Sequence, residues 1–538
     1  MKNLGRRTLL WRGMVLLVAL CLGVALSSCT AAPSKKLNDS SLTVGFLSEM
    51  QTVDPDVYYG AEGLIVTTAV YEGLLSYEPN PKNSPASWLP EDERLRPGLA
   101  DSWEISEDAL TYTFHLRDGV KFHDGTAADS AAWQASFERR TKVSQGPAYM
   151  LSQVESTATP DPLTFVVRLK APVSPFLDYL ASPYSPKAIS PTAVSENTVS
   201  GDLAQEWLST HDAGTGPYTV TEYVPNDHYV LEASPQYHGQ SPDFKKITIK
   251  IVPDMQSQKV LLKNGQLDLI TKGLTVQDIQ SLRNDPNVTV TTFGLAINTG
   301  MFINPDGVFS TPELRKALRE AVDRKSMVEP VFGDTATLAT EFYPRATFPE
   351  GRAPDTPVND SAALRDMVDS LPSKQVDIAY AEASGPPMGQ LAGLLQIQLS
   401  AIGLEPKVRP ISSALEYNLY AAPVEDRPDI LVDLIGTDAE NPDTVAEILF
   451  RTGAEPLNWF NYSIPDADKS MDLGVSASSE SEATSHFADV ARSVIDYGAV
   501  LSFVNNSDVI VARAGIDNMV HEPVALYSVR LADLRRVS

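Results

Sequence analysis

The sequence predicts an α/β fold built from two or three domains, and three observations carry that expectation. The chain has 538 residues, 43% of them hydrophobic and 21% charged, which is ordinary for a globular protein and enough for several cores. Short apolar or alternating runs recur between stretches of helical period. Residues 375–408 read as strand, helix and strand, an order that needs a crossover and a parallel pair. No internal repeat is evident.

The formal charge is −26. Such a chain has no basic surface to neutralise phosphates, so nucleic-acid partners are not expected. The acidity serves solubility and mildly favours cationic ligands.

Lys2, Arg6, Arg7 and Arg12 precede an apolar run over 14–26, too short for a comfortable membrane span. The run ends in Leu26-Ser27-Ser28-Cys29. Small residues leading into a Cys at that place resemble a bacterial lipobox, which implies cleavage after residue 28 and lipid on Cys29. The Arg6-Arg7 pair leaves the export route, general or twin-arginine, open. Of the two Cys, Cys21 lies in the removed run, so the mature fold is expected to hold neither a disulfide nor a thiolate metal site. Each buried lipid CH₂ contributes about 0.8 kcal/mol, so two or three acyl chains anchor firmly. Residues 29–41 read as a tether.

A strand is expected over 42–46, then a turn at Asp54-Pro55 and a helix over 61–75 with Leu64, Ala69 and Tyr71 inward. Residues 77–95 are rich in Pro, Asn and Ser and read as a loop. Next come a strand at 102–106, the turn Glu107-Asp108-Ala109, and a strand at 110–116 with Leu110, Tyr112, Phe114 and Leu116 on one face. A short strand at 120–122, the turn His123-Asp124-Gly125 and a helix from Ala128 follow.

This stretch, ADSWEISEDALTYTFHLRDGVKFHDG, closely resembles the hallmark of family 5 extracellular solute-binding proteins, the peptide- and nickel-binding lipoproteins that feed ABC importers. The family reads approximately LAxSWExSxDGxxYTFxLRxGVKFHDG. Ala109 stands where the family usually has Gly. Asp54 and Tyr71, seventeen residues apart, match two further family features.

The remaining elements follow in order. A strand at 163–169 leads to a helix within 171–180. Gly214-Thr215-Gly216-Pro217-Tyr218 resembles a family turn. It is not a phosphate loop, because no Gly-Lys-Ser/Thr follows and a strand comes next. Residues 246–252 form a strand, and Met255–Lys263 a helix stopped at Asn264-Gly265. Residues 296–299 match a family strand, and 311–331 read as one helix capped by Thr311 with Pro312 first. Loop is expected over 341–371, strands over 375–380, 404–408, 429–434 and 499–511, and helices over 388–402 and 481–496.

The resemblance implies a two-lobed, periplasmic-binding-protein-like α/β fold of class C type, with a hinge and a ligand cleft. Carried onto this chain, lobe I takes 42–72, 201–293 and 503–538, an inserted subdomain 73–200, and lobe II 294–502.

It also implies a site. In peptide-binding members an Asp nine residues after a strand's leading Asp, and four before a Pro, grips the peptide α-ammonium. Asp429, Asp438 and Pro442 reproduce both spacings. A carboxylate facing an ammonium in a closed cleft contributes about 1.5–3 kcal/mol. The alternative for Asp438 is a turn residue satisfying local amides. The position three before it, usually Trp, is Ile435, followed by Gly436. Gly60, Ala61, Glu62 and Gly63 fall where the family pairs with the ligand backbone, or form an ordinary helix entry. Dipeptide binders carry an Arg for the ligand carboxylate where this chain has Glu382, which argues for a longer peptide or a cationic ligand. Arg345 offers a compensating charge or is a solvated surface Arg. Phe503 and Trp459 either line the ligand or are plain core.

No HExxH, GxSxG or P-loop is present, and the seven His never pair at i, i+4. Asp438, Glu440, Asn441 and Asp443 lack the Gly and the distant Glu of a calcium loop. The expectation is therefore a binding protein rather than an enzyme, with no cofactor and no metal. It would be a lipid-anchored monomer on the extracytoplasmic face, capturing oligopeptides or dipeptides for a permease and ATPase. The alternatives are a non-peptide solute in the same fold (nickel chelate, oligosaccharide or haem), or a surface peptide receptor or chaperone without transport.

Overall fold

The computed structural model describes residues 40–537. The signal segment, Cys29 and nearly all of the tether lie outside them. The frame is one mixed sheet of eleven strands. At one end Ser41–Phe46 pairs in parallel with Lys246–Ile251 and with Leu269–Ile270. The hairpin Tyr218–Val224 and His228–Ala233 extends that end. At the other end Gln375–Ala381 pairs in parallel with Glu405–Ile411 and with Ile430–Ile435. The helix Pro386–Ala401 makes the crossover that parallel strands require.

Two long antiparallel strands, Val288–Ile303 and Val500–Arg513, join the ends. Their pairing slips between Gly294 and Asn298 and again at Thr299 and Gly300. At the slip Ala296 N–H donates to the Pro523 carbonyl at 2.8 Å instead of to the ladder. Two lobes result, each with its own core. The first packs Phe46, Ile65, Tyr218 and Ile249, and the second is filled from both faces of its sheet by clusters that include Phe302, Phe450, Leu391 and Val432.

A second sheet, in the order Ala100–Ile105, Thr111–Leu116, Thr164–Leu169, Val154–Asp161, forms the subdomain beside the first lobe. Its alternation is as expected: Tyr112, Phe114 and Leu116 are buried and their neighbours are not. Helix Ser130–Val143, capped by Asp129 through Ala132 N–H, covers it with Trp133 and Phe137. The same helix carries Arg139 and Arg140 outward to the Asp54-Pro55 turn. Arg139 donates to Asp54 and Asp56 at 2.6–2.9 Å, and Arg140 to Asp56 at 2.8 Å. Nearby, Gly216 N–H donates to the Val70 carbonyl at 2.9 Å, and a Cβ on Gly214 would fall 2.0 Å from that carbonyl. The Gly-rich turn is thus a close backbone approach.

Several expected elements differ. The helix over 61–75 is only Leu64–Val70. Tyr71 turns extended so that its hydroxyl takes Ala213 N–H, and Leu75–Tyr77 pairs with Leu95–Pro97. The helix over 311–331 is two, Pro312–Ala321 and Arg324–Phe332. Val322 leaves the helix at ψ 116°, and Asp323 caps the second piece through Ser326 N–H. Asp competes for amides and prefers a cap to an interior, which explains the break. Residues 120–122 make one bridge, Lys121 to Ala127, and no strand. The supposed loops over 77–95 and 341–371 contain the short helices Glu91–Arg94 and Ala362–Met367.

Candidate functional site

Strand Ile430–Ile435 buries Ile430, Leu431 and Val432 and then runs out of the sheet at its carboxyl end. There Thr437 Oγ1 donates to the Ala439 carbonyl at 2.7 Å, and Asn441 caps helix Pro442–Phe450. The turn between them presents Asp438 to the first lobe. Its carboxylate accepts the hydroxyls of Tyr59 and, at 2.7 Å, Tyr149. Tyr59 precedes helix Leu64–Val70, and Tyr149 sits in the 3₁₀ segment Gly146–Leu151 of the subdomain. Ser182 Oγ donates to the Asp438 carbonyl. Burial pushes the Asp438 carboxyl above the usual range, and the two tyrosine hydroxyls pull it back. Burial, then the Asp438 charge, hold both tyrosines well above the usual phenol range, so both remain donors.

Asp438 opens on a cavity of about 250 Å³ between the lobes. The first lobe and its subdomain contribute Tyr59, Gly60, Ala61 and Tyr184. The second contributes Glu416, Tyr417, Asp433, Gly436 and Trp459. Asp433 accepts Ser384 Oγ at 2.7 Å and faces Glu416. Burial and then the Asp433 charge push Glu416 up to about 9, and burial pushes Asp433 up to about 6. A second cavity, of about 320 Å³, adjoins across Ser384, Leu434 and Leu526. It holds Glu382 and Lys272, whose Nζ lies 4.8 Å from the Tyr527 ring centroid. Among the described residues Lys272 is the only Lys or Arg in either wall.

Of the expected site residues, Gly60, Ala61, Gly436, Asp438 and Trp459 meet in the first cavity, and Glu382 lines the second. The others lie elsewhere. Glu62 is buried and accepts Leu47 N–H at 2.8 Å and Ser48 Oγ at 3.2 Å, bracing the end of the first strand. Gly63 N–H donates to the Tyr58 hydroxyl oxygen at 2.6 Å, so the ligand-pairing loop is shorter than expected. Ile435 points into the second lobe's core against Gly300. Phe503 is fully buried in that lobe's other cluster, whereas the expected division puts the chain in the first lobe from this residue on. Trp459 is mostly core, edge-on to Phe302 at 4.8 Å, with one face on the cavity. Arg345 lines a separate groove with Trp88 and Phe348.

Sequence reasoning missed Tyr59, Tyr149, Tyr184, Glu416, Asp433 and Lys272. Asp433 carried a readable signal, a lone acid inside the apolar run ILVDLI. The tyrosines carried none, because they meet Asp438 only through the fold. Around the cleft, further contacts cross between the subdomain and the second lobe. Arg94 pairs with buried Asp178 at 2.8 Å and reaches Glu480 at 2.6 Å, and Glu440 N–H donates to Tyr77 at 3.0 Å. Among the described residues no group of three or more His, Cys, Asp or Glu is arranged to hold a metal, and no helix is long and apolar enough to cross a membrane.

Comparison with known proteins agrees with this fold. The profile of bacterial extracellular solute-binding proteins, family 5 (middle region), matches residues 94–456. The probable D,D-dipeptide-binding periplasmic protein DdpA of Escherichia coli K12 is 24% identical over 512 residues, covering 94% of this chain and 96% of that protein. Helicobacter pylori DppA in complex with the peptide STSA superposes with a TM-score of 0.77 at 18% identity, over 92% of this chain and 98% of that one. Campylobacter jejuni NikZ in complex with Ni(L-His) gives 0.78 at 20% identity, over 93% and 100%.

Proposed function

The chain belongs to family 5 of the bacterial extracellular solute-binding proteins, and on that premise we propose that it captures oligopeptides between its lobes and delivers them to a membrane permease and ATPase. The observation that carries the peptide reading is Asp438. It is a buried carboxylate at a strand's carboxyl end, held by two neutral hydroxyls and facing a cavity with no cation of its own. An α-ammonium supplies the missing charge. From there the peptide backbone runs past Gly60 and Ala61, crosses Leu434 and ends in the second cavity, whose wall holds both Lys272 and Glu382.

Micromolar affinity corresponds to about −8 kcal/mol. One ammonium contact contributes about 1.5–3 kcal/mol, so backbone pairing and buried side chains carry the rest. The ligand favours closure because it touches both lobes, and the lobes rotate about the two long strands where their register slips. The reading includes a monomer anchored through lipid on Cys29 at the extracytoplasmic face, with no turnover of the ligand. DdpA and DppA, whose names or bound peptide point to peptides, support it.

The test is a titration of Asp438→Asn with peptides whose N-terminus is free or acetylated. A loss of about 10- to 100-fold is expected for the free peptides, the range of a charge-assisted hydrogen bond. Acetylated peptides should bind wild type and variant almost alike. Equal loss for both would remove the ammonium role.

A further inference from the structure

We propose that Glu416 and Asp433 form a second cation subsite, which selects peptides carrying a lysine or arginine side chain close to the N-terminus. The inference rests on the peptide reading above and adds the side-chain class.

The two acids are 7% and 3% exposed, and both line the cavity that Asp438 closes. Among the described residues Ser384 Oγ is the only side-chain donor to the pair. Among the described residues Glu416 receives nothing from any amide, amine or hydroxyl, and its partner is the Asp433 carboxyl. No Lys, Arg or His lines this cavity. Two such carboxyls must share a proton or take a cation from outside. Their surroundings fit the second case. Ile448, Leu449 and Leu457 form an apolar stretch of the same wall, suited to an aliphatic stem. Tyr417 and Trp459 add aromatic rings, on which cations sit favourably. Trp459 is 3% exposed, and its indole N–H is buried without an acceptor. An apolar wall ending in a buried acid pair accepts a lysine or arginine side chain and disfavours an acidic one.

The experiment is a calorimetric titration of trialanine and of its single-position variants with lysine or norleucine at each of the three residues. Norleucine keeps the stem and removes the charge. The wild-type protein should bind the lysine peptide at least tenfold tighter than its norleucine partner at one position, and the ratio should fall below threefold in Asp433→Asn/Glu416→Gln. Glu416→Gln alone, on the short helix Ser413–Glu416, should lower the ratio in the same direction if the double variant does not fold. Equal lysine and norleucine affinities at every position, with trialanine still bound, would overturn the subsite and leave the peptide reading intact. A preference that persists in both variants would overturn its assignment to these residues. No binding by any of the peptides would remove both readings.

Discussion

Single residues decide how the cleft behaves before a ligand arrives. Asp438 is approached by Tyr59 and Tyr149 from 379 and 289 positions away in the chain. No local pattern could have announced either, whereas the family resemblance could carry the Asp429–Asp438–Pro442 spacing because those residues lie within one short stretch of chain. Glu416 and Asp433 bear on pH. Their folded carboxyls sit above the ordinary range, at about 9 and about 6. The folded state therefore holds protons that the unfolded chain releases, and the pair's contribution is fully present below the ordinary Asp value of 3.8 and is lost as pH rises through about 6 toward about 9. Ligand-free protein should lose several kcal/mol across that window, and Glu416→Gln should flatten the slope in denaturant titrations between pH 5 and 8. An unchanged slope would contradict this account of the pair. Ala109 offers a simpler test. It holds φ +53° in the turn where the family has Gly. Left-handed Ala costs about 1–2 kcal/mol, and the added backbone freedom of Gly in the unfolded chain returns part of that. Ala109→Gly should stabilise by about 0.5–1 kcal/mol in thermal unfolding.

Elements were legible where local chemistry settles them. Alternation along Thr111–Leu116, the Thr311 cap, and the Pro386–Ala401 crossover each rest on neighbours in sequence. The helix expected over 61–75 stopped early because Tyr71 is claimed by Ala213, a contact that periodicity cannot see. The Asp323 cap, by contrast, was readable in principle, since an Asp deep in a helical run signals a new start. The strongest tie between elements is the buried set of Asp54, Asp56, Arg139 and Arg140. It fixes the loop bearing Tyr59 against the subdomain helix. Removing one partner strands the others in a dry interior, at a cost of about 3–5 kcal/mol. Arg139→Ala should show that loss in urea unfolding and should weaken ligand binding as well, because Tyr59 loses its footing. Lost stability with unchanged binding would separate this network from the site.

At the scale of the molecule, the two-lobed fold follows from two strands long enough to serve two cores. Their register slip sits beside the cleft, where Leu295 and Ile297 line its floor. The family resemblance marked a strand at 296–299 but not its sixteen-residue length, since Gly294 and Gly300 interrupt the apolar run. The cleft itself was not legible, because its walls come from both lobes and the subdomain. The subdomain and the second lobe are tied across the cleft by contacts such as Arg94 to Glu480 and Tyr149 to Asp438. The most direct measurement is mass spectrometry of the small molecules released when the purified soluble protein, residues 30–538, is denatured. The account predicts a ladder of peptides with free N-termini, enriched in lysine or arginine near the start. A single non-peptide mass, or a metal chelate, would contradict it.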